Sequence, residues 1–169
     1  MTEAEVGGTI VIGLGNPLMT DDGVGLAALH LLETAWSFDP EVQFLDGGTW
    51  GMNLLHPIES AQRVVLLDAI DQGAAPGAVV VLERDALPRF FGLKVSPHQV
   101  DLKEVLAVAE LRGTLPERIV AIGLQPARIA LGTALSDGLE HQLPALVDEV
   151  VARLEAWGHR SARAVPVSP

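Results

Sequence analysis

Buried runs and helical stripes alternate along this chain. Thr9 to Leu14 (TIVIGL) is a continuous, partly β-branched apolar run and predicts a buried strand. Gly23 to Trp36 follows with Val24, Ala27, Ala28 and Leu31 on one helical face. Val42 to Asp46 predicts a second strand that ends in the turn Asp46 to Thr49 (DGGT). Trp50 to Glu59 predicts a short helix with Met52, Leu54 and Leu55, whose apolar surface from Trp50 to Leu55 is either a docking patch or core, with core favoured for most of it and least for Trp50. Arg63 to Ile70 and Gly77 to Glu83 predict the third and fourth strands. Val100 to Leu111 carries Leu102, Val105, Leu106 and Ala109 at helical spacing, and Arg118 to Leu124 predicts a fifth strand. The last helix has the strongest period, through Leu139, Leu143, Leu146, Val147, Val150, Val151 and Leu154. Pro144 interrupts it, so either the helix kinks there or a new start lies near the proline.

Strands alternating with helices predict an α/β fold: a three-layer α/β/α sandwich around a twisted, mostly parallel sheet of about five strands. The 169 residues suffice for one domain with a sizeable core. The segments 1–8 and 159–169 are expected to be loose ends. Ligands of such sheets bind beyond the carboxyl ends of the strands. The unusual polar residues fall there: Asn16 after strand one, Asp46 after strand two, Asp68 at the end of strand three.

Charge narrows the function. Twenty-two acids against eleven bases give a net charge of −11, which argues against a nucleic-acid partner, since phosphates want a basic face. No apolar run approaches the roughly 20 residues that span a bilayer, so no membrane partner is expected. The acidic start (MTEAEVGG) is unlike a signal peptide, and the absence of cysteine fits a reducing cytoplasm.

Three possible metal ligands each follow an apolar run: Asp21 or Asp22, Asp68, and His98. Carboxylate and imidazole together suit a borderline divalent metal such as nickel or zinc. With no thiolate available, the site is expected to be open or transient. Asp21 and Asp22 would otherwise cap the first helix, but Gly23 and Gly25 point to a ligand or backbone approaching closely. Asp68 closes a strand buried on both faces, where a carboxylate costs energy unless paired or metal-bound. His30, His56, His141 and His159 read as structural or exposed.

Other chemistries fail on spacing. Gly13 to Pro17 (GLGNP) lacks the glycine at position 18 that a dinucleotide fingerprint needs; Leu18 stands there. The same stretch resembles the start of peptidyl-tRNA hydrolases, but their following glycine and His-Asn pair are absent. No serine, cysteine or zincin motif is present, so any hydrolysis would rely on a metal for activation.

At a larger scale the chain resembles the nickel-iron hydrogenase maturation proteases. These endopeptidases remove the C-terminal extension of the hydrogenase large subunit. The matching stretches are GLGNPLMTDDGVG, LDGGTWGMNLL (Leu45 to Leu55), VVLLDAID (Val64 to Asp71), KVSPHQVDLKEVL (Lys94 to Leu106) and IGLQPARIALGTALS (Ile122 to Ser136). The resemblance implies a twisted, mixed sheet and a large-subunit precursor already loaded with its nickel. It implies that Asp22, Asp68 and His98 sense that nickel, and that Asp46, Gly47 and Gly48 help to recognise the substrate chain. The nickel would be transient and supplied by the substrate, with no permanent cofactor. Two other readings of the same residues are a non-catalytic nickel-sensing chaperone of the precursor and a peptidyl-tRNA hydrolase-like hydrolase.

Overall fold

A computed structural model describes residues 8–48, 50–87 and 97–164, with side chains omitted from 97 to 101. The strands are β1 (Thr9–Leu14), β2 (Trp36–Asp39), β3 (Gln43–Gly48), β4 (Arg63–Ala69), β5 (Val79–Glu83), β6 (Arg118–Leu124) and β7 (Arg160–Arg163). The helices are α1 (Val24–Ala35), α2 (Leu55–Ser60), α3 (Pro97–Leu111) and α4 (Asp137–Ala156). Short 3-10 turns precede α1 (Thr20–Gly23) and α2 (Gly51–Leu54).

Five strands form one sheet in the order β3-β1-β4-β6-β5. The pairs β1–β3, β1–β4 and β4–β6 are parallel, and β5 runs antiparallel to β6. The expected α/β fold is therefore present, with one antiparallel edge. The β-strand period of two divides the core. Ile10, Ile12, Val64, Leu66, Ile119 and Ala121 point to one face, where α3 contributes Leu102, Val105 and Leu106. Val11, Val65, Leu67, Val120 and Ile122 point to the other, against α1 and α4. Each central strand is thus apolar on both sides, which is why these strands read as unbroken runs.

Leaving β1, the chain passes through α1 on one face to reach β3. Beyond β4 it passes through β5 and then α3 on the opposite face. Adjacent strands β1 and β4 therefore send their chains to opposite sides, the kind of switch point beside which ligands of such sheets bind. The first helix is set very close to this point. A Cβ on Gly25 would lie 2.2 Å from the Leu67 carbonyl oxygen and 2.7 Å from that of Leu14. The glycine in DDGVG marks the approach of backbone to backbone.

Of the two alternatives at Pro144 the separate start is excluded, since the final helix is one element from Asp137 to Ala156 with the proline inside it. Two expectations are corrected. The chain from 159 to 164 is not a loose end: β7 pairs with β2, Arg160 bonds Asp39, and the Arg163 guanidinium sits 4.5 Å from the centre of the Trp36 ring. His159 is buried there, bonding the Pro40 carbonyl at 2.6 Å and the Thr9 hydroxyl at 2.9 Å. Residues 1–7 and 165–169 lie outside the described residues. Finally, Met52 faces solvent, as does Trp50, while Leu54 is core. Among the described residues no helix is long and apolar enough to cross a membrane.

Candidate active site

Asp68 is the penultimate residue of β4 and is 1% exposed. It continues the row of Val64 and Leu66, so it stands on the face that α3 covers. One of its oxygens accepts the Ala69 amide at 2.8 Å. Asp22 comes from the 3-10 turn beyond β1 and is 3% exposed. Its Oδ2 accepts the Asn16 amide at 2.9 Å, which ties the acid back to the end of β1.

Gly15 lies between the two. Its φ is +112°, a conformation open mainly to glycine. A Cβ built on it would meet the Asp22 carbonyl oxygen at 1.9 Å and an Asp68 carboxylate oxygen at 3.6 Å. The bare backbone at this position lets the turn carrying Asp22 pack against the end of the strand carrying Asp68. The sequence placed both acids at the same sheet edge, and the fold brings their segments into contact.

His98 is the second residue of α3. That helix covers the face on which Asp68 stands, and it packs against the Gly51–Leu54 turn. The His98 side chain itself lies outside the described residues. Among the described side chains no group of three histidines and acids forms a ligand set.

Asp46, Gly47 and Gly48 end β3, beside the same edge. Asp46 pairs with Gly13 and is exposed, while Gly47 is buried against Ile12 and Leu54. The Gly48 carbonyl accepts the Gly15 amide at 3.1 Å, so this turn is bonded to the glycine that lies between the two acid-bearing segments.

Asp21 differs from its neighbour. It is fully buried and does not cap α1, whose N-cap position is Gly23 without a side-chain bond. Its Oδ2 accepts the amides of Ala127 at 2.9 Å and Arg128 at 2.8 Å, and the Ser136 hydroxyl at 2.8 Å. Its Oδ1 accepts the Ser136 amide at 2.7 Å. Burial pushes this carboxyl up, but the amides of Ser136, Arg128 and Ala127 and the Ser136 hydroxyl outweigh it. The group stays below the ordinary carboxylate value. The sequence signals an acid pair here but not the division of labour, because Asp21's partners lie more than a hundred residues away.

The rim is apolar. Leu18, Trp50, Met52, Ile129 and Leu131 are all exposed, and all lie on segments that follow the carboxyl ends of β1, β3 and β6. Leu18 and Leu131 are brought together by the bridge between Met19 and Gly132 and by the Gly132 amide on the Leu18 carbonyl. Scattered exposed apolar residues are ordinary, and these lie on segments that share one sheet edge.

Fold and site define an α/β protein whose buried acids sit at the switch point of the sheet, within an apolar rim. Comparison with known proteins makes the class specific. The profile of the hydrogenase maturation protease family (HycI) matches residues 27–153. The Hydrogenase 2 maturation protease of Escherichia coli K12 is 31% identical over 150 residues, covering 88% of this chain and 92% of the relative. The hydrogenase expression/formation protein HoxM of Cupriavidus necator is 36% identical over 151 residues, 88% of this chain and 75% of the relative. Among solved structures, the hydrogenase maturating endopeptidase HybD from Escherichia coli superposes with a TM-score of 0.87 at 30% identity, over 92% of this chain and 96% of that one. The chain belongs to the hydrogenase maturation protease family, and it is a hydrolase.

Proposed function

We propose that this endopeptidase removes the C-terminal extension of a nickel-iron hydrogenase large-subunit precursor, and that nickel held by the precursor is its recognition element. Asp22, Asp68 and His98 are the residues assigned to that nickel. The observation that carries the reading is the meeting of two buried acid-bearing segments around Gly15 at the β1–β4 switch point. Buried carboxylates are costly unless a cation or hydrogen bonds offset the burial. A metal brought in by the substrate supplies that cation only when the correct precursor is bound. A third, nitrogen ligand from the start of α3 makes the set suit nickel.

An open three-ligand set holds a free ion less well than a closed four-ligand site, so the metal arrives and leaves with the substrate. Asp46, Gly47 and Gly48 are assigned to the incoming chain, since they end β3 beside the acids. The apolar rim from Leu18 to Leu131 is suited to a folded protein surface, which supports a protein substrate over a small molecule. A divalent ion in this position polarises the scissile carbonyl or acidifies an attacking water.

The test is direct. Asp68→Asn and His98→Ala are expected to leave a folded protein that does not process the nickel-loaded precursor. Normal cleavage by both variants, read by intact mass, would remove the assignment. Binding of the precursor without release of a peptide by the wild type would instead mark a nickel-sensing chaperone.

A further inference from the structure

The turn that carries Asp22 is held in place by bonds from a distant loop, and half of them converge on one side chain. Asp21 accepts four hydrogen bonds, all from residues 127 to 136. Three of these donors fall on Oδ2 and one on Oδ1, so the buried carboxylate is engaged by this loop through both oxygens.

The residue before it repeats the pattern. The Thr20 hydroxyl donates to the Arg128 carbonyl at 2.8 Å and accepts the Ala130 amide at 3.0 Å. The Thr20 amide donates to the Gly132 carbonyl at 2.9 Å, and the Asp21 amide to the Arg128 carbonyl at 3.2 Å. Thr20 also has a φ of +47°. For a β-branched residue that conformation is a true outlier and persists only where the surroundings over-determine it. Local preference therefore does not make this turn. The loop makes it, and the next residue along is the acid Asp22.

We propose that Asp21 is a positioning residue for the reaction: its bonds to the 127–136 loop set where the Asp22 carboxylate stands beside Asp68. This rests on the assignment of Asp22 to the reaction centre given above. Releasing Asp21 lets the strained Thr20 relax, and Asp22 moves with it. Misplacing a reacting group by about 1 Å can cost on the order of 100-fold in rate.

Asp21→Asn places an amide NH2 before backbone N–H donors, and Ser136→Ala removes one hydroxyl donor only. Steady-state cleavage of the nickel-loaded precursor is measured for both, beside wild type, Asp22→Asn and His141→Ala. Measurements are made at a temperature where circular dichroism shows each protein folded. Asp21→Asn is expected to lower kcat by about 10- to 100-fold, with a much smaller rise in KM. Ser136→Ala is expected to lower kcat less, in the same sense, and His141→Ala to cleave normally. Faster amide exchange in residues 127–132 accompanies the loss in Asp21→Asn.

Unchanged kcat per folded molecule in Asp21→Asn, while wild type cleaves and Asp22→Asn does not, overturns the positioning role and leaves the assigned function standing. Absence of cleavage by wild type overturns the assigned function and the positioning role together. If Asp21→Asn does not fold, Ser136→Ala decides: a folded variant with wild-type kcat overturns the proposal.

Discussion

Gly25→Ala sets two known effects against each other, and the structure decides the sign. Replacing glycine by alanine inside a helix ordinarily stabilises it by about 1 kcal/mol. Here the added Cβ would stand 2.2 Å from the Leu67 carbonyl oxygen and 2.7 Å from the Leu14 carbonyl oxygen. Ordinary contact lies near 3.5 Å, so the overlap exceeds 1 Å. Both obstructing atoms are backbone of central, doubly buried strands, so α1 must lift instead. Overpacking of this kind costs about 1–3 kcal/mol, and rigid backbone puts this case at the upper end. The expected net loss is about 1–2 kcal/mol after subtracting the helix gain. In a domain of this size that lowers Tm by roughly 2–4 °C for each kcal/mol. Gly138→Ala, in the first turn of α4, is the control. A Cβ there meets nothing within 4 Å, so the same substitution should stabilise by about 0.5–1 kcal/mol. Urea melts of wild type and the two variants measure both. A stabilised Gly25→Ala would refute the close approach of α1 to β1 and β4. Precursor cleavage by Gly25→Ala should also fall beyond its loss of folded protein, since the lifted helix begins two residues after Asp22.

His159→Ala should cost about 2 kcal/mol or more, because it leaves the Thr9 hydroxyl and the Pro40 carbonyl without the ring that bonds them; a urea melt indistinguishable from wild type would count against that buried link. Asp21 gives stability a defined acid dependence. Its folded carboxyl lies below the ordinary value, so its contribution is complete above about pH 4 and declines as pH falls through the folded value. The stability gap between wild type and Asp21→Asn should therefore be constant from neutral pH down to about pH 4 and narrow below it; a gap that widens on acidification would reverse the sign of the shift.

The parts of the fold that could be read from the sequence are those whose burial is two-sided. β1 and β6 have the predicted bounds, because Thr9–Leu14 and Arg118–Leu124 are apolar on both sheet faces and stop abruptly. β2 and β7 could not be read. Arg160–Arg163 has no apolar alternation, and its pairing with Trp36–Asp39 depends on an ion pair, a stacked arginine and the buried His159, all between residues more than a hundred positions apart. The predicted first helix accordingly ran into Trp36, the first residue of β2. The shared sheet edge of Asp22 and Asp68 was legible because parallel strands present their following residues at one edge. The engagement of Asp21 by a distant loop was not legible, because Ala127, Arg128 and Ser136 reach it only once the loop after β6 has folded back. Glycines gave a correct but ambiguous signal: Gly25 admits backbone of the same chain, where a ligand was an equal expectation.

The most direct test of the central claim is the mass of a purified hydrogenase large-subunit precursor after incubation with this protein, with and without its nickel. Loss of a C-terminal peptide from the nickel-loaded precursor alone is the predicted result. Equal cleavage of the nickel-free precursor would contradict recognition through the metal, and no cleavage of either would contradict the proposed substrate.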